Sequence, residues 1–160
     1  MQMKGSERIL ASRERVWAAL NDPEVLRQCI PGCQSLEMTS PTQMTATVII
    51  RVGPVTATFG GKVMLSDLDP PNGYRIAGEG TGGVAGFAKG GAVVSLEESG
   101  AGETILHYEA NSQIGGKLAQ LGARLIDSTA KKLAGEFFAK FGNVVAAEEA
   151  PVQAASPDRG

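Results

Sequence analysis

The sequence predicts an α+β fold: a curved antiparallel sheet of about six to seven strands wrapped around one long C-terminal helix, with two short helices after the first strand. Three observations carry this. Apolar residues alternate with period two through most of residues 34–112. The period changes to 3.6 after Gly115-Gly116. The strand-like runs are joined by short Gly/Pro turns rather than helical crossovers, which keeps sequence neighbours side by side in one sheet.

Residues 3–10 read as the first strand. Ser12 is a good N-cap for a short helix at 13–20, with Val16, Trp17 and Leu20 on its apolar side. Asp22 caps and Pro23 opens a second short helix carrying Val25, Leu26 and Ile30, which Pro31-Gly32 ends. Met44, Ala46, Val48, Ile50 and Val52 alternate with polar neighbours as one buried face requires. After Gly53-Pro54, Val55, Ala57, Phe59, Gly61, Val63 and Leu65 do the same. Pro70-Pro71-Asn72-Gly73 is a turn, and strands follow at 74–82, 87–98 and 103–112. Leu118, Leu121, Leu125, Ile126, Leu133, Phe137 and Phe141 then form a helical stripe, ending near Gly142. Residues 1–142 make one domain, and 143–160 read as a flexible polar tail. A bent sheet closed around one helix is the helix-grip arrangement. Nine glycines between Gly78 and Gly102 are expected to supply bulges and bends.

Charge and composition exclude several functions. The chain has 160 residues and a net charge of −2, for which Glu148, Glu149, Asp158 and Arg159 account by themselves. The balanced body offers no broad basic footprint, so no nucleic acid is expected as a partner. One histidine and two cysteines are too few for the usual zinc sets without unusual carboxylate help, and no Ser-His-Asp or Cys-His site can be built without His107. No metal, no cofactor and no catalytic set is therefore expected. There is no apolar signal core and no run of about 18 apolar residues, so a cytoplasmic protein with reduced thiols is expected.

Several motifs look chemical. Gly78-Glu79-Gly80-Thr81-Gly82-Gly83 has the letters of a dinucleotide loop, but more strand follows where the pyrophosphate would need a helix. Cys29 and Cys33 lie at the end of a short helix, one residue too far apart for thioredoxin-type chemistry, and are read as small buried side chains. His107 alternates outward between Leu106 and Tyr108. Tyr108 is either a core tyrosine or a polar handle on a ligand. Phe137 and Phe138 cannot both face the sheet, so one is expected in the core and the other over the tail or a partner. The inner positions mix bulky residues with Ala57, Gly61, Gly78, Ala110 and Gly122. That mixture suits an apolar cavity between sheet and helix, and also suits a packed core.

The segments VWAALNDPEVLRQCIPGC, GPVTATFGGKVMLSDLDPP, GEGTGGVAGFAKGGAVVSLEE and GGKLAQLGARLIDSTAKKLAGEFFAKF closely resemble the CoxG family, the G subunits of carbon monoxide dehydrogenase. That family belongs to the START-like, Bet v 1-like (SRPBCC) superfamily. The resemblance runs from about Met3 to Phe141. It implies a non-catalytic accessory protein for a molybdenum-containing CO dehydrogenase or related hydroxylase, recruiting the enzyme to the membrane or carrying a quinone or lipid. Alternation, in the neighbourhoods the family pattern supports, gives the expected lining: Trp17, Leu26, Val48, Ile50, Phe59, Phe87, Tyr108, Leu121, Leu125 and Phe137.

Many relatives continue into a linker and a hydrophobic anchor. This sequence ends on a polar stretch at Gly160, so either a soluble shuttle making transient contact with the inner face of the membrane or a truncated chain is expected rather than a permanent anchor. Two alternatives use the same fold. A polyketide cyclase- or hydratase-like enzyme would need Tyr108, Glu79 or an inward His107 as acid or base. A ligand-free assembly factor would need an exposed apolar patch near Phe138 or Phe87.

Overall fold

A computed structural model of the chain describes residues 1–158, with side chains described as far as Ala147. Seven strands form one antiparallel sheet: β1 (Gln2–Ile9), β2 (Cys33–Ser40), β3 (Gln43–Val52), β4 (Val55–Asp69), β5 (Gly73–Thr81), β6 (Phe87–Gly100) and β7 (Glu103–Gly115). The order across the sheet is β1-β7-β6-β5-β4-β3-β2, so every strand from β2 to β7 lies beside its sequence neighbour and β1 closes against β7.

Between β1 and β2 lie α1 (Arg13–Leu20) and α2 (Pro23–Cys29). Their starts follow from local chemistry. The Arg15 N–H donates to Ser12 Oγ at 3.2 Å, and the Glu24 N–H donates to Asp22 Oδ1 at 2.9 Å. Each satisfies a donor that the first turn of a helix leaves unpaired.

Two 3-10 turns punctuate the rest, at Gly83–Ala85 and Gly116–Leu121, and α3 runs Ala123–Asp158. Here the structure departs from the expected boundaries. Gly122 adopts φ +100, a conformation that breaks helical continuity, so residues 116–121 form a separate turn instead of the start of the long helix. At the other end the helix does not stop at Gly142. Phe141 and Val145 are fully buried, and continuing for another turn is what seats Val145 in the core. Residues 159 and 160 of the expected tail lie outside the described residues.

The core is split in two. The larger cluster gathers α1, α2 and one end of the sheet around Val16, Leu26, Leu65, Leu106, Phe141 and Val145. Trp17 meets Tyr74 edge-on at 5.1 Å within it, and burial pushes the Tyr74 hydroxyl pKa up. Phe137 and Phe138 both pack against this cluster, correcting the expectation that one of them would serve the tail or a partner. Phe138 stacks on Tyr108 at 5.3 Å and Phe137 on Phe141 at 5.5 Å. The smaller cluster holds Val52, Phe59 and Leu118, with Leu121 and Leu125 against it.

The strand glycines also differ from expectation. The register breaks fall at Cys33/Ser35, Met38/Ser40, Ser66/Asp69 and Glu98/Gly100, whereas Gly78, Gly80, Gly90 and Gly91 pair in regular register. These four do not bend the sheet through bulges. They leave its surface bare.

Candidate functional site

The bare surface follows from the pairing. On the concave face, Ala46 lies beside Gly61, Gly61 beside Gly80, and Gly80 beside Ala88. In the next row Val63 faces Gly78, Gly78 faces Gly90, and Gly90 faces Ser112. Two adjacent rows thus cross four strands each with glycine at both middle positions, Ala46 and Ala88 ending one row and Val63 and Ser112 the other. A methyl added at Gly61 would stand 2.8 Å from the Glu79 carbonyl oxygen, and one at Gly90 would drive into that of Asn111. At Gly78 it would meet only ordinary contacts, 3.5 Å from the Lys62 oxygen. Backbone packing demands glycine at Gly61 and Gly90, and leaves space unused at Gly78.

Above this floor passes the first half of α3. Ile126, Thr129, Ala130 and Leu133 belong to neither core cluster. The two surfaces stand apart and leave between them an open-mouthed cavity of about 570 Å³, with Ile30 and Pro31 on one side and Leu118 and Phe59 toward the smaller cluster. That volume lies within the ~300–1,000 Å³ usual for small-molecule sites. The cavity is therefore a gap between two packed regions, where α3 is held at both ends and unsupported in between.

Its lining is apolar, with two inward hydroxyls: Ser112 on β7 and Thr129 on α3. Lys62, Glu79 and Lys89 also border it. Each alternates with inward residues, so their side chains leave on the outer face. Among the described residues no ionisable side chain is directed inward from the floor.

Of the ten expected lining residues, Val48, Ile50 and Phe59 border the cavity. The other seven are placed elsewhere. Trp17, Leu26, Tyr108 and Phe137 belong to the larger cluster. Tyr108 fits there because Gly5 opposite leaves room for its ring, a methyl at Gly5 falling 2.7 Å from the hydroxyl. Leu121 and Leu125 pack on the smaller cluster, and Phe87 is half exposed at the outer edge of β6. Phe87 shares its parity with Lys89 and so lies on the outer face, not the expected inner one; the other six face inward but lie beyond the cavity at one end or the other, because neither alternation nor a helical stripe fixes position along an element. Missed were Ala46, Ile76, Gly80, Ala88, Gly90 and Ala92 on the floor, and Ile126, Thr129, Ala130 and Leu133 on α3. The available signal was the recurrence of Ala and Gly at inward positions of adjacent strands.

The other chemical candidates lie away from the cavity. His107 Nε2 pairs with Glu97 Oε1 at 2.8 Å on the outer face. Cys29 is buried and Cys33 half-buried, both free, and burial pushes both thiols up, away from the reactive thiolate. The Gly78–Gly83 run ends β5 and leads through a single 3-10 turn into β6, with no helix N-terminus for a phosphate. No three His, Cys, Asp or Glu residues among those described converge as a metal site.

The sequence profile of the carbon monoxide dehydrogenase G subunit (CoxG) matches residues 5–146. The chain belongs to the CoxG family. A conserved protein from Geobacillus kaustophilus is similar at 32% identity and TM-score 0.86, over 91% of this chain and 95% of that one. More distant likenesses show that the CoxG fold is START/Bet v 1-like. A START superfamily protein from Mycobacterium smegmatis matches at 14% identity and TM-score 0.69, over 91% and 97% of the two chains. The Zhui aromatase/cyclase from Streptomyces sp. R1128 matches at 13% and 0.64, over 91% and 93%. No curated protein matches this CoxG sequence. No helix among its described residues is long and apolar enough to cross a membrane.

Proposed function

We propose that this CoxG-family chain is a non-catalytic carrier that holds a neutral, largely apolar ligand, a quinone or lipid, between its sheet and the first half of α3. The carrier in turn serves a molybdenum-containing CO dehydrogenase-type hydroxylase, delivering the ligand or bringing the enzyme to the membrane. The observation that carries the reading is the cavity of about 570 Å³ between two filled cores, floored by glycine and alanine. A sheet selected only for stability would fill that space, since unfilled apolar volume forfeits packing contacts. Membership of a family described as a CO dehydrogenase subunit supports the choice of partner.

The lining supports a neutral guest. A carboxylate or ammonium brought here would lose its hydration with no counter-charge to replace it. The hydroxyls of Ser112 and Thr129 can instead donate to a carbonyl. The same chemistry argues against the cyclase-type alternative, which needs a proton-transfer group within reach of the substrate. Tyr108, Glu79 and His107, the residues that alternative relied on, lie in the core or on the outer face. For the ligand-free alternative, Phe138 packs in the core while Phe87 remains half exposed.

The test is native mass spectrometry of the protein after exposure to a membrane lipid extract, alongside the Gly78→Leu variant. The wild type is expected to retain one quinone or neutral lipid, and Gly78→Leu, whose side chain projects into the cavity, to retain none. A wild type that stays empty, or a Gly78→Leu variant that loads equally well, rules the carrier out.

A further inference from the structure

The cavity differs from one side of its floor to the other. The β3 side presents Ala46, Val48 and Ile50 and meets the apolar turn at Ile30 and Pro31, whereas the β7 side presents Ser112. That serine is held firmly. Its N–H donates to the Met1 carbonyl at 2.8 Å, and across the ladder it pairs with Gly90. A methyl at Gly90 would fall 2.9 Å from the Ser112 Cα, so the position facing the serine stays bare.

From the roof, Thr129 supplies the second hydroxyl. A hydroxyl inside a helix commonly donates to a carbonyl of the preceding turn, as Ser128 Oγ does to the Leu125 carbonyl at 3.1 Å. Thr129 makes no such bond among the described residues, and the Ser112 hydroxyl has no partner among them either. Floor and roof thus offer two uncommitted donors in an otherwise apolar space. Volume sets a second limit. A water-sized group occupies about 30 Å³ in the liquid, so 570 Å³ holds roughly twenty non-hydrogen atoms. A long-chain isoprenoid quinone or a diacyl lipid is far larger, and the cavity is open at its mouth.

Resting on the carrier reading for its premise, we infer that the guest is taken head-first and only in part. A compact neutral head with a ketone-type carbonyl lies at Ser112 and Thr129. Its apolar continuation crosses the glycine floor toward β3, and whatever exceeds roughly twenty non-hydrogen atoms stays outside the mouth. The two hydroxyls then select a carbonyl over a plain hydrocarbon, since only the carbonyl accepts their protons. Chain length beyond the mouth goes unread, because atoms left outside bury nothing in the cavity.

The experiment is calorimetric titration of the full chain with two probe series, alkyl-substituted naphthoquinones and the matching alkylnaphthalenes. The wild type is expected to bind the naphthoquinones about fourfold more tightly per added methylene until the alkyl chain reaches about eight carbons, and no more tightly beyond. Ser112→Ala and Thr129→Val should each weaken naphthoquinone binding about fivefold and leave alkylnaphthalene binding unchanged, with the circular dichroism spectrum of the wild type. Ser128→Ala, whose hydroxyl is turned back onto its own helix, should bind both probes as the wild type does. Three outcomes overturn head-first binding while leaving the carrier reading in place: no weakening in Ser112→Ala and Thr129→Val, equal weakening for both probes, or gains that continue well past about eight carbons. A wild type that binds neither probe overturns both.

Discussion

Three glycines that look alike in the sequence carry different physical demands. Gly61 and Gly90 sit where a neighbouring strand's carbonyl occupies the place of a side chain, so Gly90→Ala should distort the β6–β7 ladder and lower the melting temperature markedly. Gly78 has ordinary clearance and opens onto the cavity. Gly78→Leu should therefore keep the fold while removing ligand uptake, a pattern readable by thermal unfolding and ligand titration together. At the closed end of the molecule, Thr104 Oγ1 donates to the Ala11 carbonyl at 2.8 Å and is wholly buried. Thr104→Val leaves that carbonyl unpaired and should cost about 1–3 kcal/mol in denaturant unfolding. At this scale the sequence was informative about which face most strand residues occupy, because alternation is a local property, although it set Phe87 on the wrong one. It was silent on depth along the strand, because Phe59 and Tyr108 alternate equally well and differ only in which core they meet.

Among the elements, α3 shows most clearly what a residue pattern can and cannot tell. Its amphipathic stripe was legible, but both ends were misplaced. Gly122 breaks the run by its conformation, and Gly142 does not break it because Val145 has a core site waiting. A chain ending at Gly142 should accordingly lose about 2–6 kcal/mol from the burial of Val144 and Val145, measured as a shift in denaturant midpoint. The edge strand β1 is held by a different device. Arg8 Nε lies 2.9 Å from Glu103 Oε2, and the Arg8 guanidinium holds the Glu103 carboxyl below its usual range. Because the folded value is the lower one, this contribution is present above the unfolded value near ~4.3 and is lost as pH falls through the folded value. Melting temperature followed from about pH 6 to about pH 3 should fall for the wild type, and fall less for Arg8→Gln.

For the whole molecule, the helix-grip arrangement was legible because every strand connection from β2 to β7 is local and one helix must cover the exposed apolar face. Whether that coverage was tight was not legible, since small inward residues serve close packing and empty space alike until register sets them side by side. Filling the space should stabilise the whole molecule by mass action. At a free ligand concentration about a hundred times its dissociation constant the gain is about 2.7 kcal/mol, visible as a rise in melting temperature that Gly78→Leu abolishes.

The long helix is mechanically a beam clamped at Phe137, Phe141 and Val145 and pinned lightly at Leu125. Bending its free span by a fraction of a turn disturbs only the lesser clamp, while the rest of the protein stays folded. On the carrier reading, a guest would thus enter and leave without a global unfolding event. Amide exchange between Ile126 and Leu133 should outpace exchange around Phe141, and should slow once the hollow is occupied.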